Sequence, residues 1–586
     1  MFEHKRTFGQ HRVLEFDKTA FKFLEYMQKV YNVDDLSKLH IGYEEFCNVN
    51  DIETPLHKKF YKAIKENDEF KNIYCDMIRD IHSQLFPDEP CLIYQSFPSI
   101  RFQFPGSIAV PKHCDSDSIG SHPLGERNFI IPLTKMTKTA SIYIESEPGR
   151  EDFQSQDLEY GNLFYFNGNT CIHYNEPNQE NYVRVSFDFR VVPPSDYYNY
   201  IMHNPINFTR PRDENTERKP VAITVGGYYQ IVFKDQPSWD WYYRKNTIAQ
   251  TRPTFGDDDK KAITDYISAG DPFYTEFKET EKLEKYIQDY MNVKHCSMVT
   301  SGTAALICAL LACDIGKDDE VIVPAYTMVA TLNAVKSVGA SPVIVDVSRE
   351  TCTVTPDTIK SAITPKTKAV IHVSLNNRDA GLPEISRICK ENSVMLIEDA
   401  AQSVGCLRYG TIGDVACFSL STPKIISTGQ GGFTVTNNDT IATKIRMVKN
   451  FGRTTGGVEV YETFGLNFKF TDLQAVIGLA QFKQLPSRIE RYKKIGMLYQ
   501  KYLPVQNSPF PWFVDIIVDD RDDLAKFLRL HGVETRACYP ALADLPNANY
   551  ISEHGLFLPT HMDLKDADIK YICDVIRCFL SLKKLT

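Results

Sequence analysis

After residue 255, short apolar runs alternate with helical patterns along this chain of 586 residues. The runs are EVIVPAY, SPVIVDV, KAVIHVS, VMLIEDA and DVACFSL, and helical stretches such as TAALICALLACDIG and PEISRICKEN separate them. Nearly every position of each run is apolar, which is typical of strands buried on both faces of a parallel sheet. The alternation therefore predicts an α/β fold with a mostly parallel sheet in this half of the chain.

The chain before residue 200 has a different pattern. Short β-type runs lie between clusters of turn residues, as in NFIIPLT, SIYIE, GNLFYF and VRVSFDF, and a helical region at 17–85 precedes them. This spacing predicts an all-β sandwich or barrel with flanking helices. The polar, proline-flanked stretch RPRDENTERKP indicates a linker between the halves. We therefore predict a first domain at 1–210, a linker with a β extension at 211–250 and a second domain at 251–586.

The composition excludes several classes of protein. A formal charge of −9 and a pI of 5.9 argue against general nucleic-acid binding, which depends on a basic surface. No uncharged apolar run reaches the length of about 18 residues that a membrane-spanning helix needs, so we predict none. The fifteen cysteines are scattered without a CxxC pair, and MFEHKRTFGQHRVLEF lacks the apolar core of a signal peptide. We therefore expect reduced thiols and a cytoplasmic location.

Polar residues follow the predicted strands of the second half, where ligands of open parallel sheets gather. Asp399 ends VMLIED, Ser419 follows DVACF, Lys424 lies in STPKIISTGQGG, and Ser301 precedes the helix GTAALICALL. Singly, each has an ordinary explanation as a helix cap or a solvated loop residue. Together they meet the needs of pyridoxal phosphate, which requires a lysine for its Schiff base and a carboxylate at its pyridine nitrogen. Its phosphate suits a helix N-terminus.

The motifs around these positions resemble those of one enzyme family. IEDAAQSVG, FSLSTPKIISTGQGG, SGTAAL and VIVPAYTMVAT resemble the DegT/StrS family of pyridoxal-phosphate sugar aminotransferases, over 250–586. The resemblance implies fold type I with a small C-terminal subdomain, a keto sugar, most simply nucleotide-linked, as substrate, and glutamate as amino donor. It implies that Lys424 carries the cofactor and moves the substrate proton, and that Asp399 keeps the pyridine nitrogen protonated. The other residues it implies at the cofactor are Gly302, Thr303, Ala304, Met328, Gln402, Ser419 and Asn467.

This resemblance also bears on assembly and on alternatives. Asn467 matches an asparagine that the family supplies from the neighbouring subunit, which implies a homodimer with shared active sites. Met328 stands where the family often has an aromatic ring, Gln430 replaces a glutamate, and SLNNRDAG replaces a His/Tyr-Gly segment. These departures concern the substrate more than cofactor binding. A dehydratase on this fold typically has histidine at the Schiff-base position, so Lys424 argues against it, whereas a cofactor-binding regulator remains an alternative.

The first half contains a candidate metal site. VPKHCDSDS places His113 and Asp115 two apart, and on a strand such residues share a face. His173 follows in NTCIHYN, and two histidines with one carboxylate are the ligand set of non-haem Fe(II) oxygenases, although zinc or manganese would fit the same ligands. Farther along, Arg184 and Ser186 share a strand face in VRVSFDF, and an arginine fork there suits a carboxylate.

The order His-x-Asp, His, Arg-x-Ser resembles that of the iron- and 2-oxoglutarate-dependent dioxygenases, over 90–195. The resemblance implies a double-stranded β-helix in which His113, Asp115 and His173 bind Fe(II). It also implies that Arg184, helped by Ser186, binds the distal carboxylate of 2-oxoglutarate.

The two halves together predict a fusion of two enzymes. An oxygenase would oxidise a carbinol or amine carbon to a carbonyl, and the transaminase would convert a carbonyl to an amine for an amino sugar. Tethering would raise the local concentration of an intermediate. The alternative is an aminotransferase fused to a non-catalytic oxygenase-like binding module.

Overall fold

The structure is a computed structural model, and it divides into two compact units. The first comprises Met1–Asn246 with Asp574–Thr586, and the second comprises Thr247–Cys573. Much of the predicted linker, at 210–220 and 235–246, lies outside the described residues, so the predicted linker boundaries stay a prediction. The residues that the structure describes are 2–50, 53–116, 122–203, 208–209, 221–234, 247–269, 275–378, 380–455, 458–506, 508 and 510–583.

The first unit combines helices with many short strands. Its helices are α1 (Phe23–Tyr31), α2 (Pro55–Glu66), α3 (Glu69–Leu85) and α4 (Pro194–His203). Its strands are β1 (Glu3–Phe8), β2 (His11–Glu15), β3 (Cys91–Gln95), β4 (Ser99–Gln103), β5 (Arg127–Pro132), β6 (Ile142–Ile144), β7 (Gln154–Gln156), β8 (Asn162–Phe166), β9 (His173–Tyr174), β10 (Arg184–Val192), β11 (Phe208–Thr209), β12 (Val221–Ala222) and β13 (Tyr229–Phe233). The four β runs quoted from the sequence correspond to β5, β6, β8 and β10.

Two antiparallel sheets contain most of these strands. The larger has the order β1-β2-β8-β5-β10-β3-β13, and β4 also pairs with β10. The smaller has the order β7-β6-β9, and a backbone bridge joins His173 of β9 to His113. From β4 to β10 the chain passes back and forth between the sheets. Strands β4, β5, β8 and β10 lie in the larger sheet, whereas His113, β6, β7 and β9 belong to the smaller one.

Strand β10 separates the apolar core of this unit from a polar interior, because side chains along a strand point alternately to opposite faces. On one face, Phe187 contacts one ring from each of α1, α2 and α3, with centroid distances of 5.8, 5.4 and 5.3 Å. Burying such a side chain stabilises the fold by about 1.5–3 kcal/mol. The other face carries four polar residues, Arg184, Ser186, Asp188 and Arg190.

The second unit alternates strands and helices. Its helices are α5 (Asp257–Ser268), α6 (Lys278–Met291), α7 (Gly302–Ala312), α8 (Ala330–Ser337), α9 (Pro356–Ala362), α10 (Leu382–Glu391), α11 (Asp439–Lys449), α12 (Asp472–Tyr502), α13 (Arg521–Leu530) and α14 (Pro546–His554), and α15 (Asp566–Lys583) continues past its end. Its strands are β14 (His295–Val299), β15 (Glu320–Pro324), β16 (Ser341–Val345), β17 (Thr367–Val373), β18 (Met395–Asp399), β19 (Val415–Ser419), β20 (Gly432–Thr436), β21 (Val514–Ile517), β22 (Arg536–Ala537) and β23 (Gly555–Leu558).

The main sheet of this unit is mixed, with the order β14-β20-β19-β18-β17-β15-β16. The five predicted strands are β15 to β19, and all their mutual pairings are parallel. Strand β20 is antiparallel to both β19 and β14, so β14 runs in the same direction as β19. Strands β14 and β20 were not predicted, because HCSMV and GFTVT interrupt their apolar residues with polar ones.

A smaller sheet follows in the same unit, with the order β21-β23-β22, all antiparallel. Helices α13 and α14 lie against β23. In the part of the chain that the structure describes, no helix combines the length and the apolar character needed to cross a membrane.

Candidate active sites

The polar residues predicted at the strand ends of the second unit converge on one edge of its main sheet. Asp399 is the last residue of β18, Ser419 is the last residue of β19, and Lys424 lies in the loop that follows β19. Helix α7 begins just after β14, whose carboxyl end is at the same edge. The parallel arrangement of these strands therefore brings three separate sequence motifs together.

The start of α7 forms a close-packed cradle with the ends of β19 and β20. The Ser301 hydroxyl caps the helix by accepting the Ala304 N–H at 3.1 Å. A Cβ on Gly302 would lie 2.9 Å from Cβ of Ser419, and a Cβ on Gly432 would lie 2.6 Å from the Ser301 carbonyl oxygen. The first turn of α7 carries no acidic residue. Free N–H groups at this helix end, beside the Ser419 hydroxyl, fit a phosphate.

Asp399 is a buried carboxylate with two hydrogen-bond donors. The Thr331 hydroxyl donates to Oδ2 at 2.7 Å, and the Ala401 N–H donates to Oδ1 at 3.2 Å. Burial raises the pKa of Asp399, while both hydrogen bonds and the charge of Lys424 act in the opposite direction. These bonds orient the carboxylate, as a partner of a protonated ring nitrogen must be oriented.

Lys424 is a buried lysine whose basicity is altered by its surroundings. Loss of solvent lowers the pKa of Lys424 to about 8; Asp399 opposes this effect and Arg536 adds to it. Among the described residues no direct ion pair joins Lys424 to Asp399, although each charge affects the other's pKa. The Lys424 ammonium instead lies 3.9 Å from the centroid of the Trp512 ring. The lysine, carboxylate and helix start therefore fit pyridoxal phosphate in the chemistry of their donors.

The remaining predicted cofactor residues differ in their surroundings. Gln402 is fixed, because its Oε1 accepts the Asn376 N–H at 2.8 Å and its Nε2 donates to the Tyr539 hydroxyl at 3.4 Å. Met328 is 48% exposed. Asn467 is also exposed and pairs through its backbone with Asn450.

Sequence reasoning missed three residues of this site. Thr331 lies inside the quoted motif VIVPAYTMVAT, but nothing in that motif identifies it as the partner of Asp399. Trp512 and Arg536 come more than eighty residues after Lys424, just before β21 and in β22 of the smaller sheet. For Trp512, the one signal in the sequence is that tryptophan is rare, with three in the chain.

In the first unit, His113, Asp115 and His173 form a cluster with metal-site geometry. One ligand atom from each lies within 4.8 Å of the others, and His113 Nε2 is 3.4 Å from Asp115 Oδ1. The His113 Nδ1–H donates to the Pro111 carbonyl at 2.7 Å, and the His173 Nδ1–H donates to the Cys171 carbonyl at 3.1 Å. Because carbonyls only accept, both Nε2 atoms are left as potential metal ligands.

The expected reason for this clustering was wrong. His113 and Asp115 do not share a regular strand; His113 forms a backbone bridge and Asp115 lies in a turn. The His113 N–H donates to the His173 carbonyl at 3.2 Å, and the His173 N–H donates to the His113 carbonyl at 2.9 Å. This long-range pairing brings the ligands together.

Asp115 is held by residues that sequence reasoning did not assign. Arg190 donates from Nε and Nη2 to both carboxylate oxygens at 3.1 Å, and Asn128 Nδ2 donates to Oδ2 at 2.7 Å. Burial alone would raise the pKa of Asp115, but the charge of Arg190 holds it well below its usual range. Burial lowers the pKa of His173 to about 4, which keeps it neutral as a metal ligand must be.

Arg184 points into the polar interior of the same unit and is only 2% exposed. Burial lowers its pKa to about 10, and the neighbouring Arg101 adds to this effect. Arg101 itself pairs with Asp188 at 3.1 and 3.2 Å. Over the described ranges no carboxylate forms an ion pair with Arg184, and its Nε has no hydrogen-bond acceptor. An unpaired buried guanidinium is costly, so this position favours an anionic ligand. Ser186 is buried beside it on β10.

Comparison with known proteins matches the second unit to one enzyme family. Residues 253–577 match the model of the DegT/DnrJ/EryC1/StrS aminotransferase family. A GDP-perosamine synthase of Vibrio cholerae is 32% identical over 56% of this chain and 98% of its own length. A GDP-perosamine synthase of Caulobacter vibrioides is 33% identical over 52% of this chain and 90% of its own length. The structure of S. venezuelae DesV with a ketimine intermediate covers 55% of this chain and 94% of its own, with 28% identity and a TM-score of 0.53.

The chain belongs to the DegT/DnrJ/EryC1/StrS aminotransferase family. This confirms the predicted aminotransferase half and its pyridoxal phosphate cofactor.

Proposed function

We propose that the second unit transfers an amino group to a keto sugar, most simply a nucleotide-linked one, with glutamate as the donor. The observation that carries this proposal is the convergence of Lys424, Asp399 and the start of α7 on one sheet edge. The names of the relatives, which are GDP-perosamine synthases, support a nucleotide-linked amino sugar as the product.

Pyridoxal phosphate supplies an electron sink that stabilises negative charge at the reacting carbon. Asp399, oriented by Thr331 and Ala401, holds the proton on the pyridine nitrogen. The N-terminus of α7 and Ser419 would bind the phosphate, and Gln402 would contact the ring. A pKa near 8 leaves part of Lys424 as free amine near neutrality, so its Nζ is able to take up and return the substrate proton.

The proposal is tested by replacing Lys424. In Lys424→Ala the visible absorbance of covalently bound cofactor is absent, and transamination of glutamate is lost. Lys424→Arg keeps a positive charge but not a nucleophilic amine, so it behaves like the alanine variant. A visible band that persists in Lys424→Ala contradicts the assignment of the lysine.

We also propose that the unit acts as a homodimer with shared sites. The described residues of 451–464 expose several apolar side chains, and Asn467 follows three positions after Phe464. Clustered exposure of this kind marks interaction surfaces. The exposed residues are Phe451, Val458, Val460, Tyr461 and Phe464.

Shared sites predict complementation between variants. Lys424→Ala and Asn467→Ala subunits are each inactive alone, but a mixed dimer contains one site with both native residues. Mixing the two variants after partial unfolding therefore restores part of the activity. If the mixture stays inactive although each variant is a dimer, Asn467 does not act across the interface.

A second activity is proposed for the first unit, that of an Fe(II)- and 2-oxoglutarate-dependent oxygenase on a double-stranded β-helix. Two observations favour it. The alternation of successive strands between two sheets is that expected of a double-stranded β-helix, and the cluster of His113, Asp115 and His173 is a facial ligand set. Arg184, with Ser186, would receive the distal carboxylate of 2-oxoglutarate. Bound Fe(II) would supply the oxidising chemistry with O₂ as the oxidant, which takes two electrons from 2-oxoglutarate as it becomes succinate and CO₂ and two from the substrate.

Metal and co-substrate binding are measured separately. Fe(II) added without oxygen binds the protein, and subsequent 2-oxoglutarate produces a metal-to-ligand charge-transfer band. His173→Ala loses metal binding, whereas Arg184→Met keeps it and loses only the band. Absence of Fe(II) binding, or of the band after 2-oxoglutarate is added to the Fe(II)-loaded protein, contradicts an oxygenase. Binding without succinate formation in air indicates the non-catalytic binding module instead.

The two proposed activities form a sequence if the oxygenase generates the carbonyl that the transaminase consumes. Candidate sugars are given to the protein with Fe(II), 2-oxoglutarate, oxygen and glutamate. The sequential model expects succinate first and aminated product afterwards. Succinate without any aminated product refutes it.

A further inference from the structure

A short turn after β17 has an uncommon backbone. Asn376 and Asn377 are consecutive, fully buried and left-handed, with φ of 54° and 59°. Such conformations are uncommon outside glycine, and asparagine tolerates them better than most residues. These two residues belong to SLNNRDAG, one of the three places at which the sequence departs from the motifs of the family it resembles. A turn of this kind persists only where its surroundings hold it.

The side chains of this turn clamp a distant segment. The Asn376 amide pairs with the backbone of Phe513, since its Nδ2 donates to the carbonyl at 2.7 Å and its Oδ1 accepts the N–H at 3.2 Å. Asn377 Nδ2 donates to the Phe510 carbonyl at 2.9 Å. The Ser508 hydroxyl donates to the Asn376 carbonyl at 2.6 Å. Residues on both sides of Trp512 are therefore fixed.

The backbone of the same turn also contacts a predicted cofactor residue. The Asn376 N–H donates to Gln402 Oε1 at 2.8 Å, and Gln402 lies at the cofactor ring in the proposed function. One buried asparagine thus connects a cofactor residue to the Trp512 segment, although Asn376 and Phe513 are 137 positions apart.

Trp512 is itself fixed against the loop that carries the lysine. Its Nε1–H donates to the Pro423 carbonyl at 2.6 Å, and its ring centroid is 3.9 Å from Lys424 Nζ. The indole is half-buried, so part of it is open to solvent. A substrate carbon that exchanges a proton with Nζ must approach that nitrogen closely, so the substrate ring lies in the neighbourhood of the indole.

We propose that Trp512 is a specificity-determining residue whose indole forms the wall against which the apolar C–H face of the substrate's sugar ring packs. Asn376 is the positioning residue that holds this wall. This inference rests on the proposed sugar substrate. Aromatic rings bury large apolar areas with defined geometry, which suits a ring-shaped substrate better than an extended amino acid.

The reaction has two halves that use the same lysine. A defect confined to the sugar half can therefore be assigned to the Trp512 wall, whereas a defect in both halves is assigned to Lys424. Glutamate donates its amino group in one half, and a sugar exchanges its amino group in the other. GDP-perosamine serves as the sugar probe in the reverse direction, because the names of the relatives give it as a product. Both halves are followed in single turnovers by the cofactor's visible absorbance.

Trp512→Leu is expected to raise the half-saturating concentration of GDP-perosamine about tenfold, whereas that of glutamate changes less than about threefold. Trp512→Phe keeps an aromatic face without the N–H and recovers most of the loss. Asn376→Gly allows the positive φ but removes the clamp, so it reproduces the selective defect of Trp512→Leu.

Equal losses in both halves show that Trp512 only supports Lys424, and they overturn the proposal. The absence of any change in Trp512→Leu overturns it as well. If native protein reacts with glutamate but with neither GDP-perosamine nor other nucleotide-linked amino sugars, the proposed sugar substrate fails, and the wall fails with it. The first two results leave the proposed function intact, so the two failures are distinguishable.

Discussion

Replacing Thr331 by valine removes one hydrogen bond from Asp399 without changing the shape of the site. The Thr331 hydroxyl is buried and donates to Asp399 Oδ2 at 2.7 Å. A hydrogen bond to a charged group contributes about 1.5–3 kcal/mol. One pKa unit corresponds to about 1.4 kcal/mol, so its loss raises the pKa of Asp399 by a further one to two units. Burial already raises this pKa, and the remaining Ala401 N–H cannot compensate.

The consequence is a weaker hold on the protonated pyridine nitrogen, because the carboxylate is protonated over a wider acidic range. The acidic limit of cofactor binding in Thr331→Val moves upward by one to two pH units, and cofactor affinity falls at pH values near and below that limit. Visible absorbance of the protein titrated with pyridoxal phosphate, from pH 5 to pH 9, measures both effects.

Thr331→Ser is the matched control, since it keeps the hydroxyl and loses only a methyl group. Its acidic limit should match that of the native protein. If Thr331→Val and the native protein have the same pH profile, the hydrogen bond does not control the Asp399 charge. A shift of equal size in Thr331→Ser assigns the effect to packing and refutes the reasoning.

The structure supports three further predictions. Gly302→Ala places a methyl carbon 2.9 Å from Cβ of Ser419. This overpacking lowers the free energy of unfolding, measured in urea, by about 1–3 kcal/mol and weakens cofactor retention. Unchanged stability would contradict the close approach. Arg184→Met removes an unpaired buried charge and raises the melting temperature of the apo protein in calorimetry, whereas a lower melting temperature indicates an unrecognised partner. Burial lowers the pKa of His173 to about 4 from an ordinary 6.5. As the pH falls, the unfolded chain therefore takes up a proton on His173 before the folded protein does. The free energy of unfolding therefore decreases as the pH falls from 6.5 to 4, and circular dichroism should find this part of the dependence absent in His173→Asn.

Much of the aminotransferase half was predictable because its signals are local. Asp399, Ser419 and Lys424 each lie within a few residues of an apolar run, and the carboxyl ends of parallel strands meet at one edge. Strands β14 and β20 were missed, because their polar residues conceal them and their antiparallel pairing has no signature in a single run.

The contacts that refine the site could not be predicted from local sequence. Asn376 and Phe513 are far apart in sequence, and nothing near either residue indicates their pairing. Arg190 is different, because it continues the alternation of Arg184 and Ser186 along β10. Extending that alternation by two positions beyond Asp188 would have identified it as a residue of the polar interior.

The two faces of β10 have a further implication for how this protein can change over time. Every second side chain belongs to the packed core, and the intervening ones supply the guanidinium and carboxylate groups of the interior. Inserting or deleting one residue in this strand would exchange the two sets, and would remove the core and the chemistry in a single event. Evolution can therefore alter the ligand preference of the unit by substitutions within β10, whereas insertions and deletions in β10 are not tolerated.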